Sequence, residues 1–293
     1  MVVVTTPTGQ IGRKVVTGLL NQGEPVRIIA RDPDKIPASV RDRVEVVTGS
    51  HRDPEVLDRA LAGTEALFWV MPAERSATSI YDAYVTASIP GAEAVHRHGV
   101  RRVVIVSALG RGSGLYAGHI SASLAMEDLF RSTGVHVRAL ANSTFMDNVL
   151  RQLVFIEKGV LPGNVPRDLK LPAVATHDIA AVAVDLLCDD AWTGQESIGV
   201  LGPEELSLND MAAIMSDVLG WPVRHEPSDR DADKQMLLDY GFSEAVAQAM
   251  QDMEIAKERG IDSTPADTVA HTPTTFREFV ASVLKPALAA SGA

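Results

Sequence analysis

Met1-Val-Val-Val-Thr-Thr-Pro-Thr-Gly-Gln-Ile-Gly12 opens on β-branched residues, breaks into a turn and enters a helical pattern at Arg13-Lys14-Val15-Val16. A buried strand that runs through a glycine-bearing turn into a helix presents backbone N–H groups to a pyrophosphate. The spacing is Thr6-x-x-Gly9-x-x-Gly12, so a threonine replaces the first glycine of a G-x-x-G-x-x-G pattern. Pro7 follows it directly, and a residue before proline is pushed to extended conformations, which a threonine tolerates. Gly9 and Gly12 keep the two tasks that need a missing Cβ, close approach to phosphate and tight helix–strand packing. Thr6, Thr8, Gly9, Gln10, Ile11 and Gly12 are therefore the candidate cofactor cradle.

The context of this turn repeats along the chain. Strand patterns at 25–30, 44–48, 66–70, 101–106 and 135–140 recur roughly every 20 to 35 residues, with helical patterns between, as parallel crossovers require. The expected fold is α/β, a Rossmann doubly wound parallel sheet over 1–144. A smaller C-terminal substrate-binding or lid region, 145–293, is interleaved with that core.

The strand ends supply the remaining site residues. Arg31-Asp32-Pro33-Asp34-Lys35 follows the second strand, where such a fold meets the adenosine ribose. A carboxylate there favours NAD and an arginine favours the extra phosphate of NADP. Arg31 comes first and Lys35 lies a turn on, so NADP(H) is the expected cofactor, and Asp32 reads as a cap on the turn at Pro33. Met71, after the fourth strand, would lie on the adenine side. Ser107 ends the fifth strand, and a glycine-rich loop leads through His119 into the helix 120–132. Asn142, Ser143 and Thr144 end the sixth.

Beyond Thr144 the pattern changes. Phe145–Ile156 reads as helical, and Asp178 reads as the N-cap of the apolar run 179–187. Helix 80–98 is expected to break near Pro90. Late strands are expected at 198–201 and 222–225, with a helix over 208–219. Between 233 and 259, Met236, Leu237, Leu238, Tyr240, Phe242, Met250 and Met253 recur at helical spacing. They suit either the core of a small lobe or an adaptable methionine-bearing lid over an apolar substrate.

Composition narrows the partners. A formal net charge of −11 argues against nucleic acid, whose phosphates need clustered Lys and Arg. The single cysteine, Cys188, excludes an internal disulfide and a multi-cysteine metal site, and reads as a packing residue. No run approaches a membrane span, and no basic leader pattern opens the chain, so a cytoplasmic protein acting on a small molecule is expected.

In order, Thr5-Thr-Pro-Thr-Gly-Gln-Ile-Gly-Arg13, Ala30-Arg-Asp-Pro33, Gly99-Val-Arg-Arg-Val-Val-Ile-Val-Ser-Ala-Leu-Gly110, Phe145-Met-Asp-Asn148, His177-Asp-Ile-Ala-Ala181 and Gly202-Pro-Glu-Glu-Leu-Ser207 form a familiar series. The chain resembles an atypical short-chain dehydrogenase/reductase of the NmrA-like, NAD(P)-binding branch, over roughly residues 1–285. The resemblance implies NADP(H) on Gly9–Gly12 and Arg31, the nicotinamide near Ser107 and Asn142–Thr144, and a substrate pocket in the C-terminal half.

The departures bear on the chemistry. Where the family often carries Gly-Asp after the third strand, with the acid on the adenine, this chain has Gly49-Ser50 followed by His51. Reductases of the superfamily typically use a Tyr-x-x-x-Lys pair to deliver the proton, and here no tyrosine has a lysine four positions later. A general acid contributes on the order of 10²–10⁴-fold, whereas near-attack positioning can supply roughly 7–11 kcal/mol, so reduction survives its loss. Ser107 could hydrogen-bond the developing alkoxide, His119 could do likewise or relay a proton, and a substrate phenol could supply one.

The expected activity is NADPH-dependent reduction of a carbonyl on a bulky, apolar, aromatic substrate. Loss of the tyrosine with an arginine-heavy composition is similar to ketoreductases of aromatic-polyketide antibiotic pathways, those acting on angucyclinones of the simocyclinone type. The alternative is a non-enzymatic sensor that binds NADP(H) and reports redox state to a partner.

Overall fold

The computed structural model describes residues 1–291. Its centre is a sheet of β1 (Val2–Val4), β2 (Val26–Ala30), β3 (Glu45–Thr48), β4 (Ala66–Trp69), β5 (Arg102–Ala108), β6 (His136–Asn142), β7 (Gln195–Leu201) and β8 (Thr268–His271). The eight strands run in the order β8-β7-β6-β5-β4-β1-β2-β3, all parallel. The chain reverses its direction of travel between β1 and β4, and the crevice outside the strand ends at such a reversal is where open α/β sheets bind ligands.

Side-chain alternation explains why both faces are covered. Val2, Val4, Phe68, Val104 and Leu140 project to one face, against α1 (Gly12–Asn21) and α5 (Thr176–Cys188). Val3, Leu67, Trp69, Ile105 and Val137 project to the other, against α2 (Pro54–Leu61), α3 (Ile89–Arg97) and α4 (His119–Arg131). Strands buried on both faces read as continuous apolar runs, which is what the sequence shows.

The second half both completes this sheet and builds on it. β7 extends the sheet beyond β6, and β8 extends it again. Short strands at 144–145, 171–174 and 205–206 form one small sheet, and 160–163 pairs with 224–227 in another. A third core joins these to α6 (Leu208–Leu219) around Met146, Met215, Phe276 and Phe279. α7 (Arg230–Asp239) and α8 (Glu244–Glu258) follow as a helical pair.

Several local expectations are corrected. Phe145–Ile156 is not one helix but a strand residue pair, a 3-10 turn over Met146–Arg151 and a short helix Leu153–Glu157. The buried carboxylate of Asp147 explains the break, because it accepts hydrogen bonds from the Thr176 backbone N–H at 2.8 Å and the Thr176 hydroxyl. Asp178 is not the N-cap of α5. The helix begins at Thr176, and the Asp178 carboxylate instead holds the backbone N–H and hydroxyl of Thr274 at 3.2 and 3.0 Å. Helix 80–98 breaks ahead of Pro90, which sits in the first turn of α3, where a missing N–H costs nothing. The helix Leu208–Leu219 lies where the pattern puts it; the late strands expected at 198–201 and 222–225 run over Gln195–Leu201 and Arg224–Pro227, one starting three residues earlier and the other shifted two residues later, and β8 carries no alternation that announces it. Among the described residues no helix is long and apolar enough to cross a membrane.

One buried charge ties α4 to the sheet. Glu127 has a fully buried side chain and faces the Arg131 and Arg111 guanidinium groups at 2.7 and 3.0 Å. It also accepts from the hydroxyls of Ser107 on β5 and Ser197 on β7, each at 2.9 Å. Breaking such a cluster strands its partners, so Glu127→Ala should lose about 3–5 kcal/mol of unfolding free energy, measured by denaturant titration.

Candidate active site

The turn after β1 departs from the extended conformation expected of Thr6. Thr6 has φ 49°, the one non-glycine residue with positive φ among those described. A β-branched residue is an outlier there. The conformation is imposed by what surrounds it. Gly9 N–H donates to the Thr6 carbonyl at 2.9 Å. A Cβ on Gly12 would lie 2.2 Å from that same oxygen, so α1 packs directly on the backbone of residue 6. The proline bias towards extended backbone is overridden by this closure.

The turn leaves donors free. Ile11, the N-cap of α1, is buried and offers no side-chain acceptor. Arg13 N–H donates to the Gly9 carbonyl at 3.1 Å and Lys14 N–H to the Ile11 carbonyl at 2.9 Å, which leaves the N–H groups of Thr8, Gln10, Ile11 and Gly12 without a backbone partner. Thr8 and Gln10 are exposed at the rim. Thr5, which sequence reasoning passed over, is fully buried. Its hydroxyl donates to the Phe68 carbonyl at 3.1 Å and accepts from Val70 N–H at 2.9 Å, which locks β1 to β4 at the reversal point. Lys14, also unforeseen, spans from α1 to Thr176 and Asp147. Burial holds its ammonium below the ordinary lysine pKa, with Asp147 opposing.

At the ends of β2 and β3 the charges are sorted. Asp32 accepts from Asp34 N–H at 3.2 Å and pairs with Lys35 at 3.3 Å, so both are committed to the turn. Arg31 is exposed and has no ion-pair partner among the described residues. Ser50 accepts from Arg52 N–H at 3.2 Å. His51 lies edge-on to Trp69, 5.5 Å between ring centres, and its buried Nε2 has no hydrogen-bond partner. Burial, then the charges of Arg52 and Arg31, lower its pKa from 6.5 to about 4. Met71 is 4% exposed and packs into the core, so only its backbone can face a ligand.

At the ends of β5 and β6 the picture differs from expectation. The Ser107 side chain is buried and its hydroxyl is bonded to Glu127, towards α4 and away from the crevice. His119 stands at the start of α4, with Nδ1 3.3 Å from the Tyr84 hydroxyl and Nε2 3.3 Å from the Val246 carbonyl. With the carbonyl only able to accept, Nε2 carries the proton and Nδ1 accepts from Tyr84. Both nitrogens are thereby used, and burial lowers the pKa, which keeps the ring neutral. Ser143 is buried and bonds back to Val200.

Asn142 is the informative residue of this group. Its amide nitrogen donates to the carbonyls of Ser107 and Leu140 at 3.1 and 2.8 Å, which fixes its orientation. Its Oδ1 is then a buried acceptor without a donor. A buried polar atom left unpaired costs roughly 1–3 kcal/mol and calls for a partner. A nicotinamide carboxamide, with two N–H donors, fits that need. Free N–H groups in the turn that opens α1, an unpaired Arg31 and these orphaned atoms together suit a phosphorylated nicotinamide dinucleotide laid across the strand ends.

The helical pair closes over the same edge. Ser243 N–H donates to the Arg75 carbonyl at 2.7 Å, its hydroxyl to the Ala77 carbonyl at 2.5 Å, and the Arg75 guanidinium stacks on Phe242. A Cβ on Gly118 would strike the Ala249 carbonyl of α8 at 2.0 Å. Met236 on α7 and Tyr240, its C-cap, remain exposed. A separate concavity of about 750 Å³ runs along the flank of α1, between α5 and the segment 35–40. It meets the turn only at Pro7 and Thr8, so it is not the dinucleotide crevice.

Two outcomes follow from these environments. Thr6→Gly should raise stability by about 1 kcal/mol, the cost of holding an L-residue at positive φ, offset in part by unfolded-state entropy. A melting comparison checks it. For His51, the unfolded chain binds the proton first because the folded pKa is the lower one. Stability should therefore be flat above pH 7 and fall between about 6.5 and about 4, by at most roughly 3 kcal/mol. Denaturant midpoints across that range, compared with His51→Phe, read the contribution.

The chain has relatives among known proteins. The chain is 33% identical over 240 residues to the (4-alkanoyl-5-oxo-2,5-dihydrofuran-3-yl)methyl phosphate reductase of Streptomyces griseus, spanning 81% of this chain and 80% of that one. It is 27% identical over 290 residues to the NAD(P)H azoreductase of Xenophilus azovorans, covering 95% and 96%. Among solved structures, the fold matches the Citrobacter sp. triphenylmethane reductase complexed with NADP(H), with a TM-score of 0.76 at 20% identity over 99% of each chain. It also matches the NADPH complex of a quinone oxidoreductase from Escherichia coli, with a TM-score of 0.77 at 20% identity over 97% of this chain and 100% of that one. Residues 7–190 match the model of the family described as NAD(P)H-binding, and the chain belongs to that family.

Proposed function

We propose that this NADPH-dependent oxidoreductase is a ketoreductase, delivering hydride to a carbonyl of a bulky aromatic substrate of the polyketide type. The observation that carries the reading is the sorting of charge around the crevice. Arg31 stands exposed and unpaired at the ribose end, while Asp32 is turned away to its own cap and to Lys35. A free guanidinium beside a committed carboxylate favours a 2′-phosphate over a bare ribose.

The cradle roles follow. Backbone N–H groups of Thr8, Gln10, Ile11 and Gly12 hold the diphosphate, Arg31 the ribose phosphate, Ser50 and His51 the adenine side, and Asn142 the carboxamide. When bound, the dinucleotide supplies two electrons and a hydride. Ser107 and Ser143 act through position, by fixing the ends of β5 and β6, and His119 by fixing α4 against α8. The aromatic character of the substrate is supported by relatives named for azo and quinone reduction. The stitched helical pair gives that substrate a wall beside Tyr81 and Tyr116. The setting is the cytoplasm.

Purified protein with NADPH should oxidise the nucleotide in proportion to added quinone or aryl ketone. Arg31→Glu should weaken NADPH binding by about tenfold or more while sparing NADH, since a charge-assisted contact becomes repulsion. Tight NADPH binding with no turnover on any member of the panel would replace this reading with that of a redox sensor.

A further inference from the structure

We propose that Lys257 is a catalytic residue, its ammonium donating a proton to the oxygen of the substrate carbonyl at the carboxyl ends of β5 and β6. The proposal rests on the reductase reading above and names the acid that reading lacks.

Lys257 lies in the last turn of α8, far along the chain from any superfamily motif. Its Nζ donates to the Thr144 hydroxyl at 3.0 Å and to the Asp262 carboxylate at 2.6 Å. The Lys257 side chain is 12% exposed and that of Asp262 is 3% exposed. An ammonium has three donors, so one N–H remains beyond the two committed here. Thr144 stands two residues past β6, beside Asn142 with its orphaned Oδ1. Ile261 packs where the Cβ of Gly110 would be, at 2.6 Å, two residues past β5. The cation is therefore held over the same edge of the sheet as the carboxamide acceptor. With strands about 4.8 Å apart, the gap between β5 and β6 is about 12 Å from β1. That places Lys257 at the nicotinamide end of a dinucleotide whose phosphates rest on Gly9–Gly12.

Stability alone explains the pair poorly. A buried ammonium–carboxylate pair gains little over apolar side chains of the same volume, because desolvation offsets the attraction. In a site shielded from water the uncommitted N–H of the ammonium is a short-range donor to a developing negative charge, while Asp262 offsets part of the cation's longer-range field and keeps it protonated until the oxygen needs the proton. The alternatives nearby are already engaged, Ser107 by Glu127 and His119 at both nitrogens.

The step balances. As hydride, with its two electrons, bonds the carbonyl carbon, the π pair of the C=O bond moves to oxygen. The free N–H bond of Lys257 breaks as the O–H bond forms, and the amine then takes a proton from water. The reductant is the dihydronicotinamide. Asp262 is a positioning residue that keeps the ammonium in place.

The test compares Lys257→Gln, whose amide can still donate to Thr144 and Asp262, with Lys257→Arg, which keeps the charge but gives up no proton. NADPH affinity, read by calorimetry, should be unchanged in both. Single-turnover oxidation of NADPH by menadione should fall by about 10²-fold in both variants. Binding of 2-hydroxy-1,4-naphthoquinone anion to the NADP⁺-loaded protein should weaken about tenfold in Lys257→Gln and survive in Lys257→Arg. A strap role would move none of these beyond a shared loss of melting temperature. Wild-type rate and anion affinity in Lys257→Gln would overturn the proposal and return the proton to a phenol of the substrate. If the wild-type protein oxidises NADPH with menadione and with every other quinone and aryl ketone of the panel no faster than without them, the reductase reading fails instead. The anion titration then decides Lys257 alone, equal affinity in wild type and Lys257→Gln removing it.

Discussion

The carbonyl oxygen of Thr6 occupies the space that a β-carbon at position 12 would need, and the rest of the molecule is arranged around that contact. It lets α1 start within a few ångströms of the end of β1, so the helix N-terminus points into the crevice rather than over the sheet. The cost is a threonine in the left-handed region, where a glycine would sit without strain. Strained backbone of this kind persists only where the surroundings over-determine it. Here they do so through the fully buried Thr5, the Gly9 turn and the packing of Ile11 into the core.

Much of the architecture could be read from residue order because it depends on local chemistry. β-branched runs such as Val2–Val4 and Val103–Val106 can only be strands buried on both faces, and the helices between them follow from the need to cross over. The close packing of Gly12 on the turn and the exposure of Arg31 at the end of β2 were legible for the same reason, as both depend on near neighbours. Local rules failed where a distant partner competed. Pro7 predicts an extended Thr6, but the helix packed on its carbonyl wins. Asp178 looks like a cap, yet Thr274, 96 residues later, claims its carboxylate. Ser107 ends the expected strand, but its direction is set by Glu127 on α4 and so could not be known from its position alone.

The same limit explains the chemistry at the nicotinamide end. Lys257 and Thr144 are 113 residues apart, and no spacing rule links them. A superfamily tyrosine–lysine pair lies within one helix and is visible as a motif. A function moved to a helix that folds back over the strand ends leaves no such trace. The orphaned Oδ1 of Asn142 belongs to this class too, since only the carbonyls around it reveal which end of the amide is fixed.

The late arrival of β7 and β8 has a consequence for synthesis. The nucleotide-binding turn and β1 to β6 emerge from the ribosome well before residues 195–201 and 268–271. Until then β6 is a bare margin of flat, apolar backbone, with its ladder groups open to any passing chain. Nascent molecules would be most prone to edge-to-edge association in that interval, which closes in two steps as β7 covers β6 and β8 then covers β7.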